Sequence, residues 1–178
     1  MASNTNTNTT TLYDLVIPTY TSGLQTLSHI LTTASTHSSN LNLPTARLVP
    51  DQLPLTFQIH NATKHVHLSV SRLTGDAAGV ANPPSYDATE DSFAQLLARV
   101  DRALEALKSV DKGRAGGFEG AETEIAWKNE THKISVRQAI LEHNVPNFYF
   151  HLVTAYSILR AQGVPLGKAD YLAAFLHL

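Results

Sequence analysis

Four stretches of this chain repeat their apolar residues at three- and four-residue intervals, and each is closed off by proline or glycine. That spacing gathers the apolar side chains on one side of a helix, and a helix with one apolar side must bury it against a neighbour. The first stretch, residues 11 to 35, holds Tyr13, Val16, Ile17, Tyr20, Leu24, Leu27 and Leu31 in register, with Pro18 on the opposite side, where it removes a hydrogen bond without interrupting the stripe. The second, residues 51 to 73, begins at Asp51, a carboxylate placed to cap free amides at a helix start. Its arc is Leu55, Ile59, Ala62, Val66, Val70 and Leu73, and Gly75 stops it. The third starts near Thr89 or Asp91 and carries Phe93, Leu96, Leu97, Val100, Leu104 and Leu107. The fourth opens on Ser135 and Gln138, spaced as a capping box, and runs to Ala161 before Gly163 and Pro165. Pro146 predicts a kink in it, and Val145, Phe148, Leu152, Tyr156 and Leu159 form its arc. The expected fold is all-α, an antiparallel four-helix bundle, with a short final helix over residues 170 to 178 covering one end.

The connections are marked by their breakers: Pro44 and Pro50 in residues 36 to 50, Gly79, Pro83 and Pro84 in residues 76 to 88, and a glycine-rich turn over residues 112 to 120. Residues 122 to 127 and 132 to 136 alternate polar and apolar around Lys128-Asn129-Glu130, which predicts a β-hairpin before the last long helix, with Trp127 closing it onto the bundle. At 178 residues and 43% hydrophobic, the chain suffices for one core. Residues 1 to 10, rich in Asn and Thr, read as a disordered tail, and residues 11 to 178 as a single helical domain. The formal charge of −2 comes with scattered basic residues, so neither nucleic acid nor an anionic membrane is an expected partner. No apolar run reaches the roughly 18 residues of a membrane span, and the expected location is the cytoplasm. The absence of cysteine excludes disulfides, thiolate metal sites and cysteine nucleophiles. There is no phosphate loop, no nucleophile elbow and no His-Glu-x-x-His, and the sequons at Asn8, Asn61 and Asn129 are chance matches.

Nine histidines are the unusual count. On the second helix His60 and His67 point away from the arc and read as solvated, whereas His65 and Gln58 flank its border and can turn inward. On the fourth, His143, Asn147 and His151 stack at four-residue spacing with Asn144 beside them. A polar solvent-facing stripe explains most of that pattern; His151 lies nearest the apolar border. Imidazole is both a metal ligand and a proton acceptor near neutral pH, so a site built on His151 and Asn147 is the candidate chemistry.

The runs Arg47-Leu48-Val49-Pro50-Asp51-Gln52-Leu53-Pro54-Leu55 with Gln58, Arg72-Leu73-Thr74-Gly75, Pro146-Asn147-Phe148-Tyr149-Phe150-His151, and Gly163 through Gly167-Lys168-Ala169-Asp170-Tyr171-Leu172 resemble a domain-of-unknown-function family within the DinB-like superfamily of metalloenzymes, over residues 12 to about 174. The resemblance implies a four-helix bundle, often a homodimer, and a divalent metal such as zinc or nickel held by one histidine from the second helix and a His-x-x-x-His pair from the fourth. Here Ala155 follows His151 at four residues, Asn147 precedes it, and Gln58 stands at the second-helix position. The expected function is therefore a small-molecule enzyme with His151 and Asn147 as catalytic groups, His151 as a metal ligand, and Gln58, Asp51, Tyr156 and His65 around the pocket. The alternative is a non-catalytic ligand-binding or dimer-forming protein. Arg47, Arg160, Lys168 and Asp170 are expected to form ion pairs tying the chain's end to the bundle.

Overall fold

A computed structural model describes residues 10–37 and 42–178; the expected tail, residues 1–10, lies outside them except for Thr10. Four long helical segments form the bundle: α1 (Leu12–His37), α2 (Leu55–Thr74), α4 (Phe93–Lys108) and α7 (Val145–Ala161). Around the bundle the order of contact is α1, α4, α2, α7 and back to α1, so α2 is flanked by both α4 and α7. The core is the predicted apolar arcs: Tyr20, Leu24, Leu27 and Leu31 of α1 meet Leu55, Ile59 and Val66 of α2, Leu96 and Val100 of α4, and Phe148, Leu152 and Leu159 of α7. Gly23 lets α7 approach α1 closely, since a Cβ there would lie 2.5 Å from the Phe148 ring. Pro18 is exposed, as its place opposite the stripe predicts.

The start of α2 corrects the sequence reading. Asp51 stands exposed in a turn and caps nothing; the helix begins at Leu55, and its first amide donates to Ala46 O at 2.9 Å. Pro50 and Pro54 favour extended backbone in the residues before them, which delays the helix beyond the acid that was to cap it. At the other end Gly75 adopts φ 71°, and the amides of Gly75 and Asp76 close the last turn onto Arg72 O and Ser71 O.

The connections hold more order than their composition announced. A short helix α3 (Ala77–Ala81) is capped by Asp76, and α5 (Lys112–Ala115) leads into a 3₁₀ turn at Gly116–Phe118. Ser92 and Gln95 form a capping box that starts α4 two to four residues later than expected. Strands β1 (Glu122–Trp127) and β2 (Glu130–Ser135) pair antiparallel from Glu122 with Ser135 to Trp127 with Glu130, so the turn is Lys128-Asn129 alone. Trp127 does not close onto the bundle. It shares a strand face with Thr123 and Ile125 but sits at the last ladder pair, and it is 58% exposed.

The last long helix begins at the predicted Ser135–Gln138 capping box as α6 (Val136–Gln138), passes through a π-helical segment at Ala139–Asn144, and continues as α7. The kink expected at Pro146 takes that form: the Val145 amide reaches five residues back to Ile140 O, and the Asn147 side chain donates to His143 O at 2.7 Å, next to the proline that lacks an N–H. Helix α8 (Lys168–Leu176) lies along α1, with Thr26 Oγ1 donating to Tyr171 O. Of the four charges expected to tie down this end, Asp170 alone makes an ion pair among the described residues, and its partner is His29 at 2.9 Å. No described helix is long and apolar enough to cross a membrane.

Candidate functional site

Helix α2 is covered on two sides, and its polar residues divide accordingly. On the α7 side, Gln58 uses both ends of its amide: Nε2 donates to Leu53 O at 2.9 Å, and Oε1 lies 2.8 Å from His151 Nδ1. An amide oxygen only accepts, so His151 carries its proton on Nδ1 and its lone pair on Nε2. Further along α2, the Tyr20 hydroxyl donates to Ser69 Oγ at 2.9 Å, the Asn144 amide nitrogen donates to the same oxygen at 3.0 Å, and Ser69 Oγ–H is given to His65 O. Asn144 Oδ1 is then the acceptor for His143 Nδ1 at 3.1 Å and, at 3.4 Å, for the Arg72 guanidinium. His143 Nε2 is thereby the atom with the free lone pair.

Burial governs the electrostatics here. His65 is pushed down to about 3, first by desolvation and then by the neighbouring His143 and His151; its Nδ1 is buried without a partner. His151 is lowered to about 4 by burial alone, and burial raises the Tyr20 phenol. Arg72 is 5% exposed and bonds only to neutral acceptors: Glu124 O at 2.9 Å, Thr123 Oγ1 and Asn144 Oδ1, which pins the hairpin to α2. Desolvation lowers its pKa as well.

The His65 ring lies 5.4 Å from that of His143 and 6.1 Å from that of His151. A divalent metal needs lone pairs that converge on one point within about 2.1 Å of each ligand nitrogen. The His65 and His151 rings instead stack only 16° from parallel, so their edges run side by side. Among the described residues no group of three His, Cys, Asp or Glu side chains is arranged to hold a metal ion. Gln58, in place of a second-helix ligand, spends its oxygen on His151. These residues do not fit the metal.

The expected site residues separate in space. Gln58, His65 and His151 come together in the interior, Gln58 bonded to His151 and the His65 ring stacked 6.1 Å from it. Asn147 turns away from them to His143 O. Tyr156 packs edge-on against Tyr171 of α8, 6.0 Å between centroids, away from His151. Asp51 is exposed in its turn. The stripe taken as solvent-facing is half internal: Asn144 is fully buried and His151 8% exposed. His60, expected to be solvated, is 1% exposed. Its Nδ1 accepts from Asp87 N at 3.0 Å, and its Nε2 lies 3.2 Å from Glu90 Oε2 without the alignment of a hydrogen bond. His67, also read as solvated, is half-buried.

The opening onto this region is a cleft of about 710 Å³ between the hairpin and α7, with Trp127, Ile134, Glu142, His143, Asn147 and Phe150 in its walls. The residues that sequence reasoning passed over are thus Glu142 and Phe150 on the wall, and Tyr20, Ser69 and Arg72 behind it, while His143 was noticed in the polar stripe and left to solvent. A single arginine set beside Leu73 within an otherwise buried arc was the one available signal. A second cleft, of about 600 Å³, lies on the hairpin's other flank and includes Arg72 and Thr123.

Comparison with known proteins agrees with this architecture. The profile of the family described as DUF1993, a domain of unknown function, matches residues 12–172. No curated protein matches the chain. Among solved structures, the crystal structure of a DinB family member protein from Shewanella denitrificans is similar: 30% identical, with a TM-score of 0.77 over 90% of this chain and 91% of that one. The chain accordingly belongs to the DUF1993 family, a domain of unknown function built on the DinB-like four-helix bundle.

Proposed function

We propose that this protein binds a small organic molecule in the cleft between the hairpin and α7 and uses His143 as the proton acceptor toward it, without a resident metal. The observation that carries this reading is the position of His143: its ring lines the cleft while its Nδ1 is held from behind by Asn144, which is itself fixed by Ser69 and Arg72. A histidine oriented by a buried partner, with the opposite nitrogen free, is the arrangement that acid–base chemistry requires. The π-helical segment that bears both residues supports the same reading, because such segments concentrate at functional sites. A cleft of about 710 Å³ is within the usual range for small-molecule sites.

Nitrogen-15 NMR of the full chain titrated with a fragment library tests it. Bound fragments should shift the amides of Ile125, Trp127, Ile134, Asn147 and Phe150 together, and His143→Ala should weaken them while leaving the unfolding midpoint near its original value. Shifts confined to other surfaces, or none, overturn the reading. A second reading, a homodimer with no ligand, draws on Phe150 and Val153, which are 61% and 46% exposed on α7; light scattering at micromolar concentration separates it from the first.

A further inference from the structure

Acceptors are prominent among the polar groups of this cleft, beside the Trp127 indole N–H and His132, whose Nε2 lies 3.7 Å from Glu130 Oε2. His143 gives its Nδ1–H to Asn144, so Nε2 presents a lone pair. Asn147 commits an amide hydrogen to His143 O and keeps Oδ1 as an acceptor. Glu142 is exposed and forms no ion pair among the described residues; the cleft wall contains no lysine or arginine, and its second histidine, His132, lies beside Glu130 at 3.7 Å. The same wall carries two aromatic side chains that are more than half exposed, Phe150 on the helix that bears these acceptors and Trp127 on the hairpin. Large aromatic surface left open beside a concave site marks recognition rather than packing.

A ligand that complements this set must donate hydrogen bonds, carry positive charge and offer a flat apolar surface. A primary ammonium supplies three N–H donors and no acceptor. A cation beside an indole face is attracted by the ring's negative face. We infer, on the reading proposed above, that the ligand of the cleft is a cationic arylalkylamine, its ring against Trp127 and Phe150 and its ammonium directed to Glu142, His143 Nε2 and Asn147 Oδ1. Phosphorylated and carboxylated metabolites are disfavoured by the same charge balance, since an anion would meet Glu142 with no lysine or arginine in the wall to compensate.

Trp127 is the sole tryptophan, so its fluorescence reports on this cleft alone. The test titrates the full chain at pH 7 with phenethylamine, 2-phenylethanol and 3-phenylpropionate, which share a phenyl ring and differ in the charge of the head group. Saturable change in emission should appear at the lowest concentration with the amine, about fivefold below the alcohol, with the acid weakest, as expected for one partly exposed charge pair. Glu142→Gln, a surface substitution, should bring the amine level with the alcohol. Equal binding of all three, or a preference for the acid, overturns the ligand class but leaves the cleft as a binding site. No change in emission with any of them also overturns the inference, and the amide shifts of the fragment titration then decide the cleft reading on their own.

Discussion

The two polar clusters buried on either flank of α2 are built on opposite plans. Toward α4, His60, Glu90 and Arg99 form a charged group: the Arg99 guanidinium donates to Glu90 at 2.7 Å, Arg102 reaches the same carboxylate at 3.5 Å, and Tyr86 packs edge-on over the His60 ring at 5.0 Å. Toward α7, Gln58, His65, Ser69, Asn144 and His151 are neutral, and Arg72 is a buried cation that meets only neutral acceptors. The first cluster fastens the long connection before α4, whose Asp87 amide is spent on His60. The second ends at lone pairs that face a cleft. Burial of histidine is common to both; what differs is whether hydrogen-bonding capacity is left over at the edge, and that is what separates a fastening from a site.

Arg99→Ala should have the largest effect on stability, about 3 kcal/mol by urea unfolding, because it leaves Glu90 beside His60 with its main counter-ion gone. A loss below about 1 kcal/mol would mean the charged cluster fastens nothing. His151→Ala comes next, at about 1 to 3 kcal/mol, since it strands the buried Gln58 oxygen. Metal content by elemental mass spectrometry should be the same before and after that change. Near-stoichiometric metal that disappears with His151 would instead turn the neutral cluster into a metal centre.

Acid sensitivity divides the clusters more finely. His65 and His151 sit at about 3 and about 4 in the folded chain against 6.5 when unfolded. Below pH 6.5 the unfolded chain therefore takes up protons that the folded chain refuses. Their contribution is complete above that pH and declines as pH falls to the folded values, by about 1.4 kcal/mol per pH unit for each histidine at the steepest. His60, lowered by burial and by Arg99, acts in the same direction. His151→Gln should remove one histidine's share of this slope between pH 6 and 4; an unchanged slope would place the acid sensitivity on His65 or on the α4 side. Trp127→Ala should be the mildest, within about 0.5 kcal/mol in stability, while weakening the binding of phenethylamine as read by the amide shifts of Ile125, Ile134 and Phe150.

Much of the bundle was legible because its rules are local. The three- and four-residue spacing located the long helices, Ser135 and Gln138 marked a helix start that the structure confirms at 3.1 Å, and Gly75 marked a stop. The errors share a cause. Asp51 was read as a cap from its position alone, but the prolines around it delay the helix. Wheel reasoning on α2 assumed one buried side, yet this helix touches both α4 and α7, so His60 was placed in solvent when it lies inside. The site was the least legible part: Gln58 and His151 were chosen as pocket groups and do meet, but in the interior, and the cleft opens about two turns away at His143.

Taken alone, the sequence determined which segments are helical and their ends to within a few residues, since capping, proline geometry and apolar spacing act among residues a few positions apart. Only the tertiary structure decided which polar side chains would be buried and which lone pairs would stay free. Those outcomes rest on partners far along the chain, 27 residues from His60 to Asp87 and 93 from Gln58 to His151. No periodicity carries that distance, because burial depends on which helix faces arrive on either side of a residue, and α2 receives two.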